Sequence, residues 1–163
     1  MKNHLILPFL TISLLLAGCG QKDSSAIAGA APADSASGST FEFTANDTMK
    51  FNMTSFTVKP GQDVKVIMTN MGTLPKAAMA HNWILLKKGV DGKAFVDTAI
   101  TAAASDYFPT QLADQVIAHT KLLGAKQSDE ISFKAPMEPG EYTFVCSFPA
   151  HYLSGMHGVM TVK

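Results

Sequence analysis

The chain reads as all-β, a two-sheet Greek-key β-sandwich with one short helical insertion, and three observations carry that expectation. Short apolar or alternating segments recur from Phe41 to the C-terminus, turn residues punctuate them, and only one stretch has helical composition. Seven or eight strands in a domain of this size are what two packed sheets require.

Taken in order, the chain opens outside that pattern. Met1, Lys2, Asn3 and His4 lead into an apolar run over residues 5–16, too short to span a bilayer comfortably and proportioned like the hydrophobic part of an export signal. It ends in Leu16-Ala17-Gly18-Cys19, which resembles a bacterial lipobox, where the cysteine is acylated and becomes the first mature residue. Residues 1–18 are therefore read as a lipoprotein signal peptide and Cys19 as the lipid attachment. Gly20 follows where an Asp would retain the protein at the inner membrane. The expected location is exported: periplasmic and membrane-anchored, at the outer membrane if the cell is Gram-negative. Residues 19–40 are small and polar, with almost nothing to build a core, and read as a flexible linker spanning about 25 Å root-mean-square.

Residues 41–163 form the expected domain. Strand-like segments, from which the seven or eight strands are drawn, run over 41–44, 49–53, 56–58, 64–68, 83–86, 116–123, 131–133, 142–146 and 159–162, marked by β-branched, aromatic and alternating residues. Pro60-Gly61 and Pro139-Gly140 supply tight turns before two of them. Residues 93–105, rich in Ala, read as the helical insertion, and there is no internal repeat.

Charge and cysteine content narrow the function. Thirteen Lys plus Arg balance thirteen Asp plus Glu, so nothing in the charge argues for nucleic acid or an anionic surface, and membrane attachment falls to the lipid. Cys19 and Cys146 are the only cysteines, and a lipidated Cys19 cannot pair, so the domain carries no disulfide. A single thiol in an oxidising compartment is kept by burial or by a metal.

Cys146, His151 and Met156 lie on one segment with four residues between each successive pair. Phe148-Pro149 turns the chain so that His151 returns toward the sulfur, and Gly155 turns it again before Met156. A second imidazole comes best from His81, which opens an apolar strand after a loop. Thiolate, two imidazoles and a thioether are a copper set, because zinc prefers four strong ligands and thioether is a poor fourth. A cysteine hydrolase needs an orienting carboxylate, and no Asp or Glu lies between Tyr142 and the C-terminus. Asn82 is placed to tie the two ligand-bearing loops together, and backbone N–H groups around Ser147 and Phe148 to donate to the thiolate. Leu74, Pro75, Met79, Pro149, Ala150, Tyr152 and Leu153 would put an apolar partner surface around the His151 edge.

His81-Asn82-Trp83, the segment from Val116 to Gly124 and Cys146-Ser147-Phe148-Pro149-Ala150-His151 resemble the azurin-like blue (type 1) copper proteins of the cupredoxin family. The resemblance covers most of residues 41–163. It implies His81, Cys146 and His151 as equatorial ligands, Met156 as a weak axial ligand and the Ala80 backbone carbonyl as a distant axial oxygen. Azurins have Gly at the position of Ala80, carry a disulfide near the start of the domain, and have a His-to-Met interval one residue shorter. Gly155 looks like the insertion, and auracyanins, membrane-associated relatives, share the longer loop. His119 matches a histidine that is not a ligand, His157 follows Met156 directly, and Asn70 stands where azurins often carry a titrating histidine.

The function expected is one-electron transfer by a mononuclear copper centre cycling between Cu(II) and Cu(I), through the solvent edge of His151, to redox protein partners near a membrane. The alternative is an exported protein that buffers or delivers copper. That role calls for an accessible site, and the nine Met are scattered rather than clustered. A structural or adhesive lipoprotein would have no reason to keep the full ligand set.

Overall fold

Among the described residues eight strands are shared between two sheets, and the chain crosses from one sheet to the other at every connection except the fourth and the last. The computed structural model describes residues 38–163. The signal segment, Cys19 and the linker up to residue 37 lie outside the described residues.

The first sheet contains β1 (Ser39–Ala45), β3 (Asp63–Asn70) and β6 (Ser128–Lys134), in the order β1-β3-β6. The second contains β2 (Ser55–Val58), β4 (Ile84–Leu86), β5 (Val116–His119), β7 (Gly140–Val145) and β8 (His157–Val162), in the order β2-β8-β7-β4-β5. β1 runs parallel to β3 and β2 parallel to β8, and the remaining pairs are antiparallel, so both sheets are mixed. β1 already includes Ser39 and Thr40, which the sequence assigns to the linker.

Alternation decides which face each strand buries. In β3, Val64, Val66, Met68 and Asn70 point inward while the residues between them are more open. Phe43, Phe56, Trp83 and Phe144 meet between the sheets, with Phe43 and Trp83 ring centroids 5.2 and 5.5 Å from that of Phe144. Such edge-on and stacked contacts add about 0.5–1.5 kcal/mol per pair beyond the buried area.

The helical insertion sits between β4 and β5. Helix α1 (Gly92–Ala99) begins at Asp91, whose carboxylate accepts from the Lys93 and Ala94 N–H groups. Gly92, Phe95, Val96 and Ala99 fall on one face and are buried, Phe95 and Val96 packing on Ile84, Leu86 and Val145. The sequence expects helix over residues 93–105, but α1 ends at Ala99. Two short 3-10 turns, Ala103–Ser105 and Thr110–Gln115, follow it.

Two expected strand segments differ. Residues 49–53 are not a strand: Met49 has φ 55° and only Phe51 bridges to Ala45. The Asn52 side chain explains it, accepting from Thr44 N–H and donating to the Glu42 carbonyl in place of a second strand's backbone. The segment 116–123 pairs as a strand only to His119. Beyond it, Thr120 exchanges backbone and side-chain hydrogen bonds with Trp83, and Leu123 forms an isolated bridge with His81.

Candidate metal centre

His81 is delivered by a turn and fixed by a bridge. The Pro75 carbonyl accepts from Ala78 and Met79 N–H, a single helical turn that swings the chain inward. His81 then exchanges both backbone hydrogen bonds with Leu123, at 3.1 and 2.8 Å. Cys146 follows the last residue of β7, and its N–H donates to the Met156 carbonyl at 3.1 Å, extending the β7–β8 ladder by one step. Residues 147–155 are thereby closed into a loop. Inside it, His151 N–H donates to the Phe148 carbonyl, Met156 N–H to the His151 carbonyl, and Ala150 adopts φ 68°.

The three donor atoms of His81, Cys146 and His151 lie within 4.8 Å of one another. Nδ1 of His81 faces Nδ1 of His151 at 3.2 Å, and Cys146 Sγ lies 3.5 Å from that same His151 nitrogen. Cys146, His81 and His151 are 0%, 0% and 1% exposed. Ala80, next to His81, and Met156, at the far end of the loop that carries His151, are fully buried, both within the main hydrophobic cluster.

Asn82 joins the two segments. Its Nδ2 donates to Ser147 Oγ at 2.8 Å and its Oδ1 accepts from Ser147 N–H at 2.9 Å. The Ser147 N–H is thus committed to Asn82 and not to the thiolate, a correction to the sequence reading. The N–H groups directed at the sulfur are those of Asn82 and Phe148.

Electrostatics favour a cation among these donors. Burial pushes the Cys146 thiol up to about 11, against the two N–H groups that oppose the rise. Burial, then the neighbouring His81, pulls His151 down to about 4. His81 is also lowered by burial, opposed by the Asn46 carbonyl and the Asp47 carboxylate. Two inward-facing imidazole nitrogens and a sulfur that is hard to ionise without a positive neighbour are chemically incomplete. The outward Nε2 of His81 has no hydrogen-bond partner within normal limits, and the Asn46 carbonyl is the acceptor on that side. A soft metal at the junction of the three donors satisfies all of them, so the donor set fits copper.

The remaining sequence candidates separate. Ser147, Phe148, Pro149, Ala150, Tyr152 and Leu153 line one crevice with Val96, Asp97 and Ile100 of the helical insertion. Leu74, Pro75 and Met79 do not line it; Leu74 and Pro75 are exposed and Met79 is half-buried. The solvent edge expected at His151 is closed, with the Phe148 ring 4.9 Å from the imidazole. His119 stacks on Phe108 and His157 on Tyr152, both outside the three-donor cluster. Asn70 is buried, accepting from Gly72 N–H and donating to the Leu123 carbonyl.

Sequence reasoning missed the turn after β1. Besides the Asn46 carbonyl, Asp47 accepts from the Thr73 N–H and hydroxyl, and those bonds hold its carboxyl below the ordinary range. Asn46 and Asp47 were legible as turn residues. Their partners, far along the chain, were not.

Residues 39–163 match the family model described as copper binding proteins, plastocyanin/azurin family. Auracyanin-B of Chloroflexus aurantiacus is 35% identical over 119 residues, which are 72% of this chain and 49% of that protein, so the match spans about half of its length. Azurin of Pseudomonas fluorescens biotype A is 35% identical over 120 residues, 72% of this chain and 92% of that one. Among solved structures, dithionite-reduced auracyanin from Roseiflexus castenholzii superposes with a TM-score of 0.68 at 37% identity, covering 76% of this chain and 96% of that one. With the family model spanning both sheets and the buried His/Cys/His cluster, the chain belongs to the plastocyanin/azurin family of copper binding proteins, and copper is its cofactor.

Proposed function

We propose that this protein is a one-electron carrier in which His81, Cys146 and His151 would hold one copper ion, with the Met156 thioether and the Ala80 backbone carbonyl as weaker donors. The observation that carries the reading is the convergence of two imidazole nitrogens and one sulfur within 4.8 Å, on residues at most 1% exposed. Bound copper supplies the Cu(II)/Cu(I) couple, its thiolate favouring the reduced ion and its imidazoles accommodating both.

The chain's own residues keep the donors still and dry. Asn82 locks the His81 segment to the Cys146 segment, the N–H groups of Asn82 and Phe148 face the sulfur, and the Asn46 carbonyl stands beside the outward nitrogen of His81. A pocket this closed gives substrate no path to the donors, which favours a carrier over an enzyme. It equally disfavours copper delivery, which needs ready exchange. With His151 covered, the side chains over it, Phe148 first, are the medium between donors and surface.

The partners are redox proteins that dock on apolar surface near His151, formed by Pro149, Ala150, Tyr152 and Leu153 and flanked by Leu74, Pro75 and Met79. Support comes from Leu153 and Leu74, 76% and 43% exposed, and from a net charge of zero that leaves little basis for charge-matched docking. The export signal and the cysteine at its end support a periplasmic protein held at a membrane by lipid on Cys19.

Adding Cu(II) to copper-free protein should give an intense blue thiolate charge-transfer band, absent in Cys146→Ala. A colourless protein that binds Zn(II) as well and shows no reversible one-electron wave would sink the carrier reading. Cys19→Ser should release the protein from washed membranes, and continued retention would count against the lipid anchor.

A further inference from the structure

The loop between Cys146 and Met156 is gripped from a distant part of the chain. The Lys50 ammonium donates to the Ser154 carbonyl, two residues before Met156. Ser154 Oγ lies 3.7 Å from Met49 Sδ, so neighbouring residues of one turn touch the same loop residue. Gly155 adopts φ 89°, and a Cβ there would stand 2.8 Å from Lys50 Nζ. The turn is held by its own bonds: Met49 N–H donates to the Asn46 carbonyl, Met49 holds a left-handed φ of 55°, and Asn46 Oδ1 accepts from Thr48 N–H. Asp47 anchors that turn to Thr73.

We propose that Lys50 is a positioning residue for the metal site, its ammonium clasping the Ser154 carbonyl so that Gly155 is held in its left-handed conformation and Met156 in its place. This rests on the copper reading above. Among the described residues Lys50 has no carboxylate partner, so its charge is directed to the loop carbonyl. Downstream, Gly155 N–H donates to the Tyr152 carbonyl and Met156 N–H to the His151 carbonyl. Loosening Ser154 therefore loosens two backbone bonds that fix Met156 relative to His151. Lys50 touches no proposed ligand and acts through the loop alone.

The test compares Lys50→Met, which keeps the aliphatic stem, with Lys50→Arg, which keeps a donor. Lys59→Met removes one exposed lysine charge elsewhere and serves as the control. In copper-loaded protein, Lys50→Met should change the ratio of the two visible thiolate-to-copper bands, which responds to the axial bond, and weaken Cu(II) binding about tenfold. Lys50→Arg should restore both, and Lys59→Met should match the parent. In copper-free protein, amide hydrogen exchange at Gly155 and Met156 should speed up about tenfold in Lys50→Met. A blue parent whose Lys50→Met variant has an unchanged band ratio and unchanged exchange would overturn the clasp. If the parent were not blue, the carrier reading would fail, and the copper-free exchange result would decide the clasp by itself.

Discussion

Asn82 shows how much one side chain decides at this site. It spends a donor and an acceptor on Ser147, 65 positions away, and both groups are buried. Asn82→Ala would leave the Ser147 N–H and hydroxyl unpaired, at a cost of about 1–3 kcal/mol. The expected outcome in the copper-free protein is a loss of that size in chemical denaturation, with copper binding weakened about tenfold. A variant as stable as the parent would show the pair to be dispensable. Asn82 was legible because it adjoins His81 and Ser147 adjoins Cys146. His151 was legible as a candidate donor and misread as an edge, since its burial is set by tertiary packing, with the Phe148 ring 4.9 Å away. Ala150 carries a related lesson: φ 68° is a conformation that costs a non-glycine residue about 1–2 kcal/mol, and nothing in the letter Ala announces it.

At the scale of elements, strands that bury one face were the legible ones. β3 and β8 alternate regularly in burial, and their inward residues are the apolar ones the sequence marks, apart from Asn70 and Gly158. Residues 49–53 alternate too, yet form no strand, because Asn52 satisfies the backbone of β1 with its side chain. Periodicity reports which residues can be buried together, not what the backbone groups bond to. The helical insertion was legible by composition, and its end was not. After Ala99 the chain turns on backbone hydrogen bonds from Thr101, Ala102 and Ser105, and Asp106 and Tyr107 take left-handed φ of 53° and 57°. The β1–β2 turn left the weakest trace, because turn residues such as Asn46 and Asp47 announce a change of direction and nothing about what the turn will touch.

Across the whole molecule, building a thiol and two imidazoles into a hydrophobic sandwich ties stability to pH. In the copper-free protein His151 is held down to about 4, against about 6.5 in an unfolded chain. Between those values the unfolded chain binds a proton that the native state refuses, so stability falls as pH drops from about 6.5 to about 4. The Cys146 thiol, raised from 9.0 to about 11, gives the opposite slope: the unfolded chain loses its proton first, and stability falls as pH rises from about 9 to about 11. Each limb is expected to be worth about 1.4 kcal/mol per unit of pKa difference. Denaturation midpoints measured across that range should form a plateau between the limbs. A midpoint that stays flat on acidification to pH 4 would contradict the burial of a neutral His151.

The sequence by itself determined the class of fold, the residue types that converge at the buried His/Cys/His cluster and the metal they suit, because alternation and ligand chemistry are properties of neighbouring letters. Only the tertiary structure decided that His151 is closed to solvent, that Ser147 serves Asn82 rather than the sulfur, and that the β1–β2 turn grips the loop before Met156. Those outcomes join residues up to 105 positions apart. Their geometry follows from how two sheets close on a shared core, which no local pattern encodes.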